Sequence, residues 1–359
     1  MKRGFRFITA AAMTFAVALT AAGCSSSSSS SESSSAQSSA SSQQETSSTS
    51  QESGTKFNIG IMQLTDHEAL NASREGFVDA LSDNGLVEGE NITIDYQNAQ
   101  NDQSNLKTIS QRFVQNDVDL VLAIATGAAQ SIAAETSEIP ILGTAITDFE
   151  AAQLVESNEV PGGNVSGTSD LSPVSDQIDL LVEMCPDIKT LGILYNSSEI
   201  NSEIQSEMAQ EAAQEKGIEC KIGTVTNTND ISQVIESIAG EVDALYIPTD
   251  NTFASAMATV AQIAEEYGLP TMCGESGQVK NGGLATTGVD FYNIGYRAGE
   301  MAVDILENGA DISQMPVEQP TDNAVCINLD AAKAIGYEFP QSVIDKASIV
   351  YENGEETQK

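Results

Sequence analysis

The polar residues of this chain that could do chemistry recur at one kind of place, directly after short apolar runs. The clearest stretch is Val242-Asp243-Ala244-Leu245-Tyr246-Ile247-Pro248-Thr249-Asp250-Asn251. Val242 to Ile247 reads as a buried strand, and Pro248 stops it because proline has no N–H to give a sheet ladder. Thr249, Asp250 and Asn251 are good helix N-caps, and they open an Ala-rich helical segment from Thr252 to Gly268. The same pattern places Gln63, Thr126, Thr147 and Asp148 at strand ends in the first half of the chain, and Asn196, Ser197, Glu275, Ser276 and Asp290 in the second. Side-chain oxygens and free helix N–H groups at the carboxyl edge of a parallel sheet are the material of a ligand cleft. The helix start from Thr126 through Ala128 to Ala129 suits a carboxylate. Asp250 and Asp290 suit an ammonium. Together they describe a site for a small zwitterion.

Catalytic chemistry has little to work with. The chain has no GxxxxGK[ST] loop and no GxSxG elbow. His67 is the only histidine, so His-based metal sites and triads lack their main component. Cys185, Cys220, Cys273 and Cys326 form no CxxC pair, and the last three have apolar neighbours. They read as buried thiols rather than a disulfide framework or zinc site. The expectation is a binding protein with no cofactor and no metal, not an enzyme.

Two βα series must position these residues. The first runs through strands at Phe57–Gln63, Ile92–Tyr96, Val118–Ala125 and Pro140–Ala145, with helices at Glu68–Leu81, Ser104–Val114 and from Thr126. This order implies a parallel, doubly wound sheet. The glycine-rich run Val160 to Asp170 then breaks the rhythm and reads as a connection between lobes. A second series follows, with strands at Thr190–Tyr195, Ile218–Val225, Val242–Ile247, Pro270–Gly274, Leu284–Val289 and Ala324–Leu329. Its helices span Glu199–Lys216, Ile231–Ile238, Thr252–Gly268 and Tyr292–Glu307, with a last one starting at Asp330. The expected fold class is α/β, with two doubly wound parallel-sheet lobes facing across a hinge.

The start of the chain indicates export. Lys2, Arg3 and Arg6 precede an apolar run from Phe7 to Ala22, the pattern of a secretory signal too short to span a membrane as a helix. It ends at Leu19-Thr20-Ala21-Ala22-Gly23-Cys24, which resembles a bacterial lipobox, with Cys24 as the lipidated residue. Ser25 to Gly54 is nearly all Ser, Gln, Thr, Ala and Glu, without apolar periodicity, and reads as a disordered tether spanning about 30 Å. The chain has 15 basic and 52 acidic residues. Without the three basic residues of the leader, twelve bases face 52 acids, a net charge near −40. Such a surface repels nucleic acid and anionic headgroups.

The lipobox and three ordered segments resemble the ABC-transporter substrate-binding proteins of the tryptophan/tyrosine-binding type. The segments are Pro161-Gly162-Gly163-Asn164-Val165-Ser166-Gly167, Tyr246-Ile247-Pro248-Thr249-Asp250-Asn251, and Gly282-Gly283-Leu284-Ala285 with Gly288-Val289-Asp290. A strand like Leu191-Gly192-Ile193-Leu194-Tyr195-Asn196 and a closing Ile327-Asn328-Leu329-Asp330-Ala331-Ala332 belong to the same pattern, which runs from Phe57 to Val350. Phe149 stands where the family usually has Pro, and Cys273-Gly274-Glu275-Ser276-Gly277 departs from the pattern near the expected pocket.

The resemblance implies a type I periplasmic-binding-protein fold with three crossings between lobes. It divides the chain into a leader (1–23), a tether (24–55), an N-terminal lobe (56–165 with 288–312), a C-terminal lobe (166–287 with 313–351) and a tail (352–359). It implies an amino-acid cargo, aromatic in the best-known relatives, with an ABC permease and its ATPase as partners. The expected protein is a monomer, held by lipid on the outer face of the cytoplasmic membrane. A ligand-presenting lipoprotein for a membrane sensor, and an importer component for a sugar or nucleoside, are the alternative readings.

Overall fold

The computed structural model describes residues 57–321 and 323–359. The leader, Cys24 and the tether lie outside them. Elements alternate as expected: β1 (Phe57–Gln63), α1 (Glu68–Asp83), β2 (Ile92–Asn98), α2 (Gln103–Gln115), β3 (Leu120–Ile124), α3 (Thr126–Ala133), β4 (Ile141–Ile146) and β5 (Val165–Ser169). They form one sheet in the order β2-β1-β3-β4-β5, parallel throughout.

The second series is α4 (Val174–Met184), β6 (Thr190–Asn196), α5 (Ile200–Glu215), β7 (Glu219–Val225), α6 (Ile231–Ala239), β8 (Ala244–Ile247), α7 (Asn251–Ser255), α8 (Met257–Tyr267) and β9 (Thr271–Cys273). It continues through α9 (Ser276–Lys280), β10 (Ala285–Val289), α10 (Phe291–Asn308), β11 (Asn323–Asn328), α11 (Leu329–Ile335), α12 (Gln341–Lys346), β12 (Ile349–Glu352) and β13 (Glu355–Gln358). The second sheet runs β13-β12-β11-β10-β9-β8-β6-β7. Its β10–β11 and β12–β13 pairs are antiparallel, so this lobe is mixed at one side rather than wholly parallel.

Four expectations change on inspection. Val165–Ser169 is not a connection but the buried edge strand of the first sheet. Its small polar side chains find partners inside: Thr168 Oγ1 contacts Thr144 Oγ1 at 2.9 Å and donates to Ile294 O at 3.0 Å. The helical segment after Asp250 is two helices, broken at Ala256, whose φ of −119° leaves the helical range. Residues 352–359 form a hairpin with β12, turned at Asn353-Gly354, where both residues have positive φ (57° and 75°) as a tight hairpin turn requires. Cys220 is half-buried, like Cys185, whereas Cys273 and Cys326 are fully buried.

Each lobe has its own core. Alternation along the second sheet sends Ala244 and Tyr246 to one apolar cluster and Leu245 and Ile247 to another, on opposite faces. The N-terminal core recruits Phe291, Ile294, Ala298, Met301 and Ala302 from α10, late in the chain. α10 lies against α1 closely enough that a Cβ on Gly295 would fall 1.9 Å from Ser73 O, and one on Gly76 2.1 Å from Tyr292 O. Glycine here is a packing requirement. Gly295→Ala should gain about 1 kcal/mol of helix propensity but lose more to overpacking. We expect a net loss of about 1–3 kcal/mol, read as a lower urea midpoint at unchanged m-value. A midpoint equal to or above wild type would contradict the close approach.

Candidate functional site

The carboxyl ends of both sheets meet at a seam between the lobes. Four side-chain contacts cross it. His67 Nε2 lies 3.1 Å from Asn251 Oδ1. Asn101 Nδ2 donates to Thr252 Oγ1 at 3.2 Å, and Gln205 Nε2 donates to Thr147 Oγ1 at 3.1 Å. Lys280 pairs with Glu68 at the exposed edge. The lobes are therefore drawn together.

Between them lies a narrow cavity, with room of only about 10 Å³ for a water-sized sphere. That is far below the roughly 300 Å³ of small-molecule sites, so a solute needs the lobes further apart than they stand here. His67, Leu70 and Ala145 line it from the N-terminal lobe, and Asn201, Thr249, Asp250, Asn251, Ala254 and Glu275 from the C-terminal lobe. Asp170 and Phe291, where the chain passes between lobes, complete the wall. A wider cleft adjoins it, lined by Thr126, Asn196 and Glu199 among others, and Asn201 faces both.

Three carboxylates dominate the cavity. Asp170, Asp250 and Glu275 are 4%, 0% and 2% exposed. Asp250 caps α7: one oxygen accepts from Phe253 N at 2.8 Å and the other from Asn196 N at 2.6 Å. Capping and lining the cavity are thus not alternatives for this residue. Glu275 caps α9, accepting from Gln278 N at 2.8 Å and from Gly277 N. It is brought beside Asp250 by Gly274, where a Cβ would stand 2.3 Å from the Pro248 carbonyl carbon. Asp170 Oδ1 accepts from Thr147 Oγ1 at 2.9 Å. These bonds compensate burial only in part. Desolvation pushes Asp170 up to about 6 and Glu275 up to about 7, and burial with the nearby Glu199 raises Asp250. Among the described residues no group of three or more His, Cys, Asp or Glu is arranged to hold a metal ion.

The remaining residues singled out from sequence divide. Asn196 and Asn251 join the seam through Glu199, whose carboxylate accepts from Asn251 N and Nδ2 (3.1 and 2.7 Å), Thr252 N and Oγ1 (3.2 and 2.8 Å) and Asn196 Nδ2 (3.2 Å). Thr147 bridges Asp170 and Gln205. Thr126 starts α3, and its buried Oγ1 has no partner. Ala128 is buried in the same first turn, its N–H bonded to Ala125 O at 3.1 Å. Gln63 is buried but committed to its own lobe, donating to Thr65 O and Asn71 Oδ1 (2.7 and 2.8 Å), which holds the loop carrying His67. Asp148 accepts from Ala151 N at 2.9 Å outside the cavity. Ser197 is exposed, Ser276 is half-buried on a separate side groove, and Asp290 is an exposed cap of α10 on Asn293 N.

His67, Asp170, Asn201 and Thr249 line the cavity without having been singled out as site residues. Asp170 could have been found, since it follows the small-residue strand β5 as Thr147 follows β4. Two alanines at the sheet edge, Ala125 and Ala145, have positive φ (82° and 56°). Such strain at the ends of β3 and β4 is typical of residues held at a binding edge.

Comparison with known proteins decides the family. Residues 58–351 match the family model described as ABC transporter substrate binding protein. The chain belongs to that family. It is the substrate-binding protein of an ABC transporter, with a type I periplasmic-binding-protein fold, and not an enzyme. It is 39% identical over 284 residues to the tyrosine-binding protein of Clostridioides difficile strain R20291, covering 79% of this chain and 82% of that one. A Streptococcus pneumoniae domain in complex with L-Trp is 35% identical, with TM-score 0.79 over 82% of this chain and all of the other. The ligand-free, open structure of a Clostridium difficile substrate-binding protein with adhesive properties is 44% identical over 82% of this chain and 99% of that one, yet its TM-score is 0.64. The nearer sequence is the poorer superposition. The seam explains this, because lobes in contact cannot overlay on lobes apart.

Burial of Glu275 gives this substrate-binding protein a testable pH dependence. Its folded value, about 7, lies above the unfolded glutamate value of about 4.3. Its contribution to stability is therefore full below about pH 4 and is lost as pH rises through 7. Glu275→Gln does not titrate. The stability of wild type relative to this variant should fall by up to about 2–3 kcal/mol between pH 5 and 8, measured from urea midpoints. A constant difference would contradict the burial.

Proposed function

We propose that the solute is an amino acid with an aromatic side chain, taken up between the lobes and passed to the ABC permease. The observation that carries this is the set of three buried carboxylates facing one cavity. A buried carboxylate is stabilised by a positive charge within reach, and an α-ammonium supplies one with three donors. In this reading Asp250 keeps its two backbone N–H bonds and uses its remaining lone pairs for the ammonium, with Asp170 and Glu275 completing the cage. The α-carboxylate lies toward the start of α3, where Thr126 Oγ1 is unpartnered. Phe291 and Leu70 give the side chain an apolar wall. The relatives that bind tyrosine and L-Trp support the aromatic assignment.

Isothermal titration of the folded protein should rank L-Tyr, L-Trp and L-Phe above L-Leu and L-Ala. Asp250→Asn should weaken binding by about 2–5 kcal/mol, mostly through the off-rate, while Asp290→Asn leaves it unchanged. Wild-type affinity in Asp250→Asn would remove that residue from the cage. Binding should also release protons, because an ammonium draws the raised carboxylates back to their ionised forms. Affinity should rise from pH 5.5 to 7.5.

The proposal extends to location. Cys24 carries a lipid on a monomeric protein held at the outer face of the cytoplasmic membrane. The leader pattern and the lipobox support this. Among the described residues no helix is long and apolar enough to cross a membrane. Cys24→Ala should move the protein from the membrane to the soluble fraction; unchanged fractionation would sink the anchoring reading.

A further inference from the structure

His67 is the sole histidine of the chain, and its ring lies on the seam, lining the cavity with the three carboxylates. Its hydrogen-bonding state follows from its neighbours. Glu199 Oε2 lies 2.7 Å from Asn251 Nδ2. A carboxylate can only accept, so the amide turns its NH₂ toward Glu199 and its oxygen away. That oxygen, Oδ1, lies 3.1 Å from His67 Nε2. An amide oxygen also can only accept, so Nε2 carries the hydrogen. Burial holds the ring below the ordinary histidine value, against the opposing pull of Asn251, Glu199, Asp66 and Glu68. The neutral ring with its hydrogen on Nε2 has a bare lone pair on Nδ1. Nδ1 is buried, and no protein group donates to it. An acceptor left unpaired at such a place is unfavourable, and none of the structural roles of His67 uses it.

From this geometry we infer that His67 Nδ1 is the acceptor for an N–H or O–H donor of the bound solute, and that His67 determines which solutes the closed cleft accepts. The inference rests on the amino-acid reading above. Two donors fit: the phenol O–H or indole N–H of the side chain, and a hydrogen of the α-ammonium. The three carboxylates already serve the ammonium, which favours the side-chain donor. A site built to bond such a donor discriminates strongly against an analogue lacking it, because the buried acceptor is then left empty. The relay Glu199–Asn251–His67 spans both lobes. A donor at Nδ1 therefore polarises one of the four contacts across the seam, His67 Nε2 to Asn251 Oδ1.

The test uses untagged protein labelled with ¹⁵N-histidine, in which one imidazole gives all the signal. The free protein should show the Nε2–H tautomer. Saturation with L-Tyr or L-Trp should move the Nδ1 resonance toward its hydrogen-bonded position. Titrations of wild type and His67→Phe with L-Tyr, L-Trp and L-Phe then identify the donor. A loss of tenfold or more for L-Tyr and L-Trp but not for L-Phe assigns it to the ring; an equal loss for all three assigns it to the ammonium. An Nδ1–H tautomer, an Nδ1 resonance unmoved at saturation, or wild-type affinities in His67→Phe would overturn the inference. The absence of binding heat for all three amino acids in the wild type would instead overturn the amino-acid reading on which it rests.

Discussion

Asp170, Asp250 and Glu275 are buried where the lobes meet, and burial favours the neutral acid over the charged form unless a positive charge is near. Backbone N–H groups from Asn196, Phe253 and Gln278 and the Thr147 hydroxyl relieve this in part. They do not remove it, since desolvation still pushes Asp170 up to about 6 and Glu275 up to about 7. In the proposed reading, a cationic solute group between the lobes completes the compensation. It does so only in the closed arrangement, where all three carboxylates face one cavity. A ligand held in this way binds the closed state better than the open one. That difference is what a permease needs in order to tell a loaded protein from an empty one.

The fold supplies the precision for this arrangement. Asp250 and Glu275 each cap a short helix, so their oxygens are fixed by backbone rather than by rotamer preference alone. Asp170 follows the edge strand β5, and its N–H bonds Ile146 O at 3.1 Å. The strained backbones of Ala125 and Ala145 stand at the ends of the neighbouring strands. Glu199 gathers Asn196, Asn251 and Thr252 into one network, and Asn251 and Thr252 in turn reach His67 and Asn101 across the seam.

Much of this was legible in the sequence, for physical reasons. Buried parallel strands are short apolar runs, and N-capping carboxylates and amides mark where each gives way to a helix; Asp250 and Glu275 were found this way. What stayed hidden depends on contacts distant in sequence. Val165–Ser169 has the composition of a loop and becomes a strand by pairing with β4, while the hydroxyl groups of Ser166, Thr168 and Ser169 donate to Met315 O, Ile294 O and Thr147 O. α4 carries apolar residues at Val174, Ile178 and Leu181, the spacing of a helix face, but followed a stretch already assigned to the hinge. The Asn353-Gly354 turn is a local hairpin signal, masked by an acidic C-terminal stretch that resembles a tail. His67, a lone histidine in the sequence, speaks only to metal and triad chemistry. Its place in the cavity depends on Asn251, 184 residues away.

The central claim is that the closed cleft grips an ammonium with buried carboxylates. It is tested most directly by titrating the protein with L-Tyr and with 3-(4-hydroxyphenyl)propionate, which keeps the ring, the hydroxyl and the carboxylate but has no amine. Without the cation the three acids must be buried uncompensated. Leaving a buried charge unpaired costs several kcal/mol, and each 1.4 kcal/mol is tenfold in affinity. The account predicts that the desamino compound binds at least about a hundredfold more weakly and without release of protons. Equal affinity for the two compounds would contradict it.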